Sequence, residues 1–416
     1  MKYTPRKHKK QHPAVKGVVL VAAIFILFTL VYSNSARFDL TGSLGAAVGG
    51  IDLQGDATGM VETKVVQHIS TPESVKAIYM TACVASTNDF KDRVVALVDE
   101  TEINTIVIDI KDFSGTIAID VPNIEMAGEE GTGCRVKDME AFVKSLHEKG
   151  IYVVGRITVF QDPIYAKAHP DQAVQRASDR SVWKDRKGIS FVDVGAREYW
   201  DYIMTLSKAS YIMGFDEINY DYVRFPSDGD MKNIYFPFSE SKIVADPENG
   251  RATALREFFS HLYNTMKDTD VKTSADLFGM TMTNTDDLNI GQVLENTIPY
   301  FDYVCPMVYP SHYPSGFNNY KDVNAHPYDI VKFSMDAGVR RVNEYKNSTS
   351  TPDVGRGKEN MNQLQLRPWL QDNDYPVPYT PAMVRTQIQA TYDAGLNSWL
   401  LWDAGNTYTR EALKTE

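Results

Sequence analysis

From residue 75 onward the chain alternates between two hydrophobic periods. Runs rich in β-branched and aromatic residues predict eight strands: "VKAIYMTA" (75–82), "TIVIDIKD" (105–112), "YVVGRITVF" (152–160), "FDEINYDYV" (215–223), "KTSADLFG" (272–279), "DYVCPMVYP" (302–310), "QLQLRPWL" (363–370) and "SWLLWDAG" (398–405). Between them, apolar residues recur at helical spacing over 89–102, 136–150, 197–214, 252–266, 290–300, 327–345 and 381–395. Gly150 and Gly214 close two of these segments, a helix-stop signal. Eight parallel strands joined by helices close naturally into a (β/α)8 barrel of the TIM type, an α/β fold. An open doubly wound sheet would prefer a Gly-rich phosphate turn after its first strand, and "YMTACVAS" offers none.

The N-terminus follows neither period. Residues 1–16 carry six Lys/Arg and no acid, and Gly17 to Ser33 carries no charge at all. Seventeen helical residues span roughly 26 Å, enough for a bilayer core. The expected organisation is a basic cytoplasmic tail (1–16), a transmembrane anchor (17–33), a Gly-rich flexible stem (34–72) and a barrel domain (73–416) outside the cytoplasm. The alternative is a signal segment cleaved near "SNSA" and a secreted body.

Charge then narrows the partners. Beyond residue 16 the 416-residue chain holds 37 basic against 54 acidic residues, a net of −17, which argues against a nucleic-acid partner. The three cysteines, Cys83, Cys134 and Cys305, are widely spaced and without a CxxC. They predict neither a zinc site nor a disulfide framework, and Cys305 reads as a small core residue.

Barrel chemistry sits at the C-terminal ends of strands, and polar residues collect there. They include Asp109 and Lys111 on the second strand, Arg156 on the third, and Asp221 and Arg224 on the fourth. Asp276 follows on the fifth, Tyr309 and His312 on the sixth, and Trp402 and Asp403 on the eighth. Strand alternation puts Glu217, Asn219 and Asp221 on one face and Asp216, Ile218 and Tyr220 on the other. The first set suits a polar lumen. Glu217 and Asp221 lie roughly 13 Å apart along an extended strand, too far for a catalytic pair whose carboxylates sit about 5–9.5 Å apart. Glu217 should lie deeper, neutralised by Arg156 or Lys111. Asp276, one strand over, can face Asp221. Trp183, Trp200, Trp369 and Trp399 read as packing, and Arg224 as a loop cap through Asp228 or Asp230 or as a substrate contact.

In order along the chain, "VIDIKDFSG" (107–115), "GRITVFQD" (155–162), "GFDEINYDYVRFP" (214–226), "SADLFG" (274–279), "PMVYPSHY" (306–313) and "LLWDAGNTY" (400–408) resemble the glycoside hydrolase-like domain family DUF4015. The resemblance covers roughly residues 75–408 and implies a TIM barrel related to glycosidases. A weaker likeness is to chitinase-type barrels, whose fourth strand reads DxxDxDxE. Asp216, Asn219 and Asp221 fall in register with it, but Val223 stands where the terminal acid belongs, which disfavours a chitinase.

The expectation is therefore an O-glycosidase acting on an envelope or extracellular polysaccharide, with Asp221 as nucleophile or base, Asp276 as acid and Glu217 as a further acidic candidate. Asp109, Lys111, Arg156, Asn219, Arg224, Tyr309, His312, Trp402 and Asp403 would contact the sugar or hold the acids. No cofactor or metal is expected, because the histidines lack HxH or HExxH spacing. The alternatives are a catalytically inactive carbohydrate-binding barrel tethered to the membrane, and a metal-dependent hydrolase using Asp109, Asp112 and His312.

Overall fold

A computed structural model describes residues 66–121, 124, 133–348, 355 and 360–415. Eight parallel strands close into a barrel in chain order: β1 (Lys76–Met80), β2 (Thr105–Lys111), β3 (Tyr152–Thr158), β4 (Glu217–Asp221), β5 (Lys272–Phe278), β6 (Tyr303–Met307), β7 (Trp369–Gln371) and β8 (Trp399–Trp402). The connections carry α1 (Asn88–Asp99), α2 (Met139–His147), α3 (Arg197–Met213), α4 (Gly250–Met266), α5 (Leu294–Thr297), α6 (Pro327–Asn347) and α7 (Pro381–Asp393). The protein is thus a (β/α)8 TIM barrel. The expected anchor at 17–33, the tail before it and most of the stem lie outside the described residues. Among the described residues no helix is long and apolar enough to cross a membrane.

Alternation along the strands builds two apolar layers. Ile106, Ile108 and Ile110 of β2 and Ile218 and Tyr220 of β4 face outward into the layer beneath the helices, and the Tyr220 hydroxyl donates to Ser207 Oγ of α3 at 2.9 Å. Ala77, Val107, Val154, Cys305 and Leu400 face the lumen, so the interior is packed rather than open. β3 can lie this close to its neighbours because position 155 is Gly; a Cβ there would meet Ile110 Cδ1 at 2.1 Å and Phe215 Cδ1 at 2.9 Å.

Three local features depart from the pattern read along the chain. The run expected as strand 363–370 opens as a single 3-10 turn at Gln363–Gln365, held by a capping box between Asn362 and Gln365; Leu366 then makes one isolated bridge to Val304, and the continuous strand is Trp369–Gln371. Cys83 and Cys134 form a disulfide that ties the segment after β1 to the segment after β2, whereas the spacing predicted no bridge. Residues 66–72 fell within the expected stem, yet they lie against the N-terminal end of the barrel. There Ile69 N donates to Asp216 Oδ1 at 2.7 Å and Thr71 hydrogen-bonds the Tyr152 hydroxyl at 3.1 Å. Asp216 Oδ2 also accepts from Val153 N and faces His147 Nε2 at 2.9 Å, which buries His147 of α2 against the start of β4.

Candidate active site

β4 ends abruptly at its catalytic candidate. Asp221 Oδ1 accepts from the N–H of Tyr222 at 2.6 Å, and Tyr222 adopts a left-handed φ of 52°. A non-glycine residue in that region costs on the order of 1–2 kcal/mol and recurs at functional sites, where the surrounding packing enforces it. The register Tyr220↔Ala275 between β4 and β5 puts Asp221 and Asp276 side by side, one residue beyond the last pair.

Arg156 of β3 joins the acids. Its Nη1 donates to Asp109 Oδ1 at 2.6 Å, its Nη2 to Asp221 Oδ2, and its Nε lies 4.0 Å from Asp276 Oδ2. Asp221 and Asp276 thus stand against one guanidinium from adjoining strands. Asp276 Oδ1 accepts from Asn219 Nδ2 at 2.9 Å and from Trp369 Nε1 at 2.8 Å. Burial, then the neighbouring Asp221 carboxylate, hold the Asp276 carboxyl well above the ordinary range; Arg156 and the two donors oppose them without prevailing. Asp109 is pushed up to about 6 by burial, against the pull of Arg156 and the Tyr79 hydroxyl.

Above the acids opens a cavity of about 390 Å³, within the ~300–1,000 Å³ typical of small-ligand sites. Arg156, Asp221, Arg224, Asp276, Tyr309, His312 and Trp402 line it, seven of the residues singled out from the sequence. Its remaining wall is mostly apolar and aromatic, with Tyr222, Phe278, Met307, Tyr313 and Trp369. Trp402 is held by stacking on Tyr79, ring centroids 4.3 Å apart, and by the edge of Trp369.

The other five candidates stand elsewhere. Asp109 lies one step behind the wall, between Tyr79 and Arg156. Asn219 is beneath Asp276 and also reaches Ser274. Asp403 accepts from Thr407 N in the turn after β8. Lys111 is fully buried away from the cavity, paired with Asp162 at 2.9 Å and donating to the Thr158 carbonyl, because a register shift between Asp109 and Lys111 turns it out of alternation. Glu217 lies deep in the barrel and outside the cavity lining. Its partner is neither Arg156 nor Lys111 but Arg367, 2.9 Å away, with the Tyr152 hydroxyl at 3.1 Å. Trp369, read as packing, is both buried and part of the wall. Arg224 forms no ion pair with Asp228 or Asp230; its Nη1 donates to the Phe225 carbonyl at 3.0 Å. Val223 is buried in the outer apolar layer, so no acid occupies that position. Asp112 is engaged in a turn, accepting from Ser114, and among the described residues no group of His, Cys, Asp and Glu is arranged to hold a metal.

A closed parallel barrel with adjacent buried carboxylates beneath an aromatic cavity at its C-terminal end defines a glycoside hydrolase-like TIM barrel. The chain belongs to the DUF4015 family, described as "Putative glycosyl hydrolase domain", whose profile matches residues 77–408. Two solved glycoside hydrolases share the fold. The PgaB (BpsB) glycoside hydrolase domain from Bordetella bronchiseptica superposes at a TM-score of 0.57 with 12% identity, covering 82% of this chain and 99% of its own. α-L-Fucosidase isoenzyme 2 from Paenibacillus thiaminolyticus gives 0.51 with 10% identity, covering 82% of this chain and 47% of its own. A hypothetical protein from Ruminiclostridium thermocellum ATCC 27405 is 26% identical over 48% of this chain and 96% of its own, at 0.40. No curated protein sequence matches the chain.

Proposed function

We propose that the protein is an O-glycosidase that cleaves an envelope or extracellular polysaccharide with Asp276 as general acid and Asp221 as base or nucleophile. The observation that carries this reading is the pair of carboxylates, Asp221 and Asp276, set side by side on adjoining strands in the lining of one cavity. Asp276 is held above the ordinary carboxyl range, while its neighbour Asp221 is ion-paired with Arg156. A carboxyl whose pKa is raised by burial and a neighbouring carboxylate holds its proton to higher pH and can deliver it to a glycosidic oxygen.

In the reaction, the Asp276 proton passes to the glycosidic oxygen as the bond from that oxygen to the anomeric carbon breaks. Asp221 either attacks the anomeric carbon directly or takes a proton from the water that does. One water is consumed overall, its hydroxyl ending on the anomeric carbon and its remaining proton restoring the acid. Arg156 compensates the charge of Asp221, and Asn219 and Trp369 fix the Asp276 carboxyl in place. Tyr309 and Trp402 offer flat surfaces to the sugar rings.

We propose further that the barrel works outside the cytoplasm, tethered by residues 17–33. The Cys83–Cys134 disulfide supports this, since such bonds persist in oxidising compartments. Hydrolysis of a glycan panel by the wild type, Asp221→Asn and Asp276→Asn tests the chemistry. Turnover that collapses in both variants is expected; equal turnover in all three would remove the pair from the mechanism. Glycan binding without any turnover would leave a carbohydrate-binding barrel.

A further inference from the structure

Five cationic side chains are buried among the described residues: Lys111, Arg156, Arg224, Arg341 and Arg367. Four are paired with carboxylates, Lys111 with Asp162, Arg156 with Asp109 and Asp221, Arg341 with Glu295 and Arg367 with Glu217. Arg224 is the exception. It is 8% exposed, lines the cavity and makes one hydrogen bond, to the carbonyl of the next residue. Asp221, Asp228 and Asp185 are near enough to influence its charge, yet none forms an ion pair with it.

The side chain is nevertheless held in place. Its guanidinium lies 4.9 Å from the Tyr222 ring centroid, 5.0 Å from Phe278 and 5.8 Å from Phe191. Aromatic faces attract the cation without consuming the N–H donors at its edge. Tyr222 and Phe278 belong to the cavity wall, so the guanidinium stands among the groups a ligand would touch. A buried, positioned guanidinium without a counter-charge is costly, and an oxyanion is the ligand that relieves this cost. Burial itself lowers the pKa of Arg224, which agrees with a charge lacking compensation.

Resting on the glycosidase reading, we infer that Arg224 recognises an oxyanion carried by the saccharide, the carboxylate of a uronic acid or a sulfate ester. A planar fork suits either by paired N–H···O bonds. Arg224 lies three residues beyond Asp221, so an anchored oxyanion would set the reacting bond relative to the acid pair. The protein would then act on acidic glycans despite its own net charge of −11.

The test compares ligands that differ only in charge. Wild-type and Asp276→Asn proteins are titrated calorimetrically with oligoglucuronates and their carboxyl-reduced forms, and with sulfated oligosaccharides and their desulfated forms. At least one charged member should bind about tenfold more tightly than its neutral twin, as charge-assisted bonds give. The two ligand pairs decide between carboxylate and sulfate. The preference should vanish in Arg224→Met and shrink severalfold in Arg224→Lys, with thermal unfolding confirming that each variant is folded. If Arg224→Met does not fold, Arg224→Lys decides. No charge preference in the wild type, or a preference unchanged by the folded variants, overturns the inference. Charge-selective binding without hydrolysis would remove the enzyme and leave this recognition standing.

Discussion

Trp369 Nε1 donates to Asp276 Oδ1 at 2.8 Å, and the same indole forms part of the cavity wall. The bond favours the carboxylate and so opposes burial and Asp221, which push the Asp276 pKa up. Trp369→Phe deletes the donor while keeping an aromatic ring. The alkaline limb of the kcat/KM profile should move to higher pH, because the acid form of Asp276 then survives further. A limb that stays in place would separate Trp369 from the proton-donating group.

Loss of the acid itself should depend on the leaving group. Asp276→Asn is expected to lower kcat by about 10²–10⁴ on a natural glycoside, the usual contribution of general acid catalysis. On a nitrophenyl glycoside, which leaves without protonation, the loss should be far smaller. Equal losses on both substrates would assign Asp276 to another role.

The same carboxyl couples stability to pH. The folded state keeps its proton to higher pH than the unfolded chain, whose Asp titrates near ~3.9. Stability is therefore present below that value and is lost as pH rises through the folded pKa. Asp276→Asn removes the titrating group, so its melting temperature should gain on the wild type as pH climbs above ~4. Parallel melting curves across that range would contradict the raised pKa.

Glu217 should behave as a structural residue. Glu217→Gln leaves Arg367 buried without a counter-charge, and breaking such a pair costs about 3–5 kcal/mol. Chemical denaturation should show that loss, while the folded fraction keeps a kcat within a fewfold of wild type. A kcat collapse at unchanged stability would bring Glu217 into the reaction.

The disulfide should be visible in unfolding. Cys83 and Cys134 are separated by 51 positions, and a cross-link of that span is worth about 4 kcal/mol by chain entropy. The double Cys→Ser protein, or the wild type under reductant, should melt at lower temperature by a margin that differential scanning calorimetry resolves. An unchanged transition would mean that the two segments are held by packing alone.

Much of this geometry is legible in the chain, for reasons of period. Ile106, Ile108 and Ile110 mark the outer face of β2, and Glu217, Asn219 and Asp221 mark the lumen of β4, because a strand repeats every two residues. That rule also pairs Asp221 with Asp276. It fails at Lys111, where a register shift breaks the alternation, and at β7, where three residues are too few to show a period. Arg367 as the partner of Glu217 was not readable: 150 positions separate them, and only barrel closure brings them together. Trp369, within "QLQLRPWL", gives no sign that its one polar atom meets a carboxylate. Cysteine spacing carries no pairing information, so the Cys83–Cys134 bond emerges only from the fold.

That bond also divides the rim into unequal sides. The cavity draws its lining from β3 through β8 and the segments that follow them, and none from β1 or β2. Cys83 and Cys134 join two segments that add nothing to that lining, so under the glycosidase proposal variants with altered glycan selectivity should be sought first on the arc from β3 to β8.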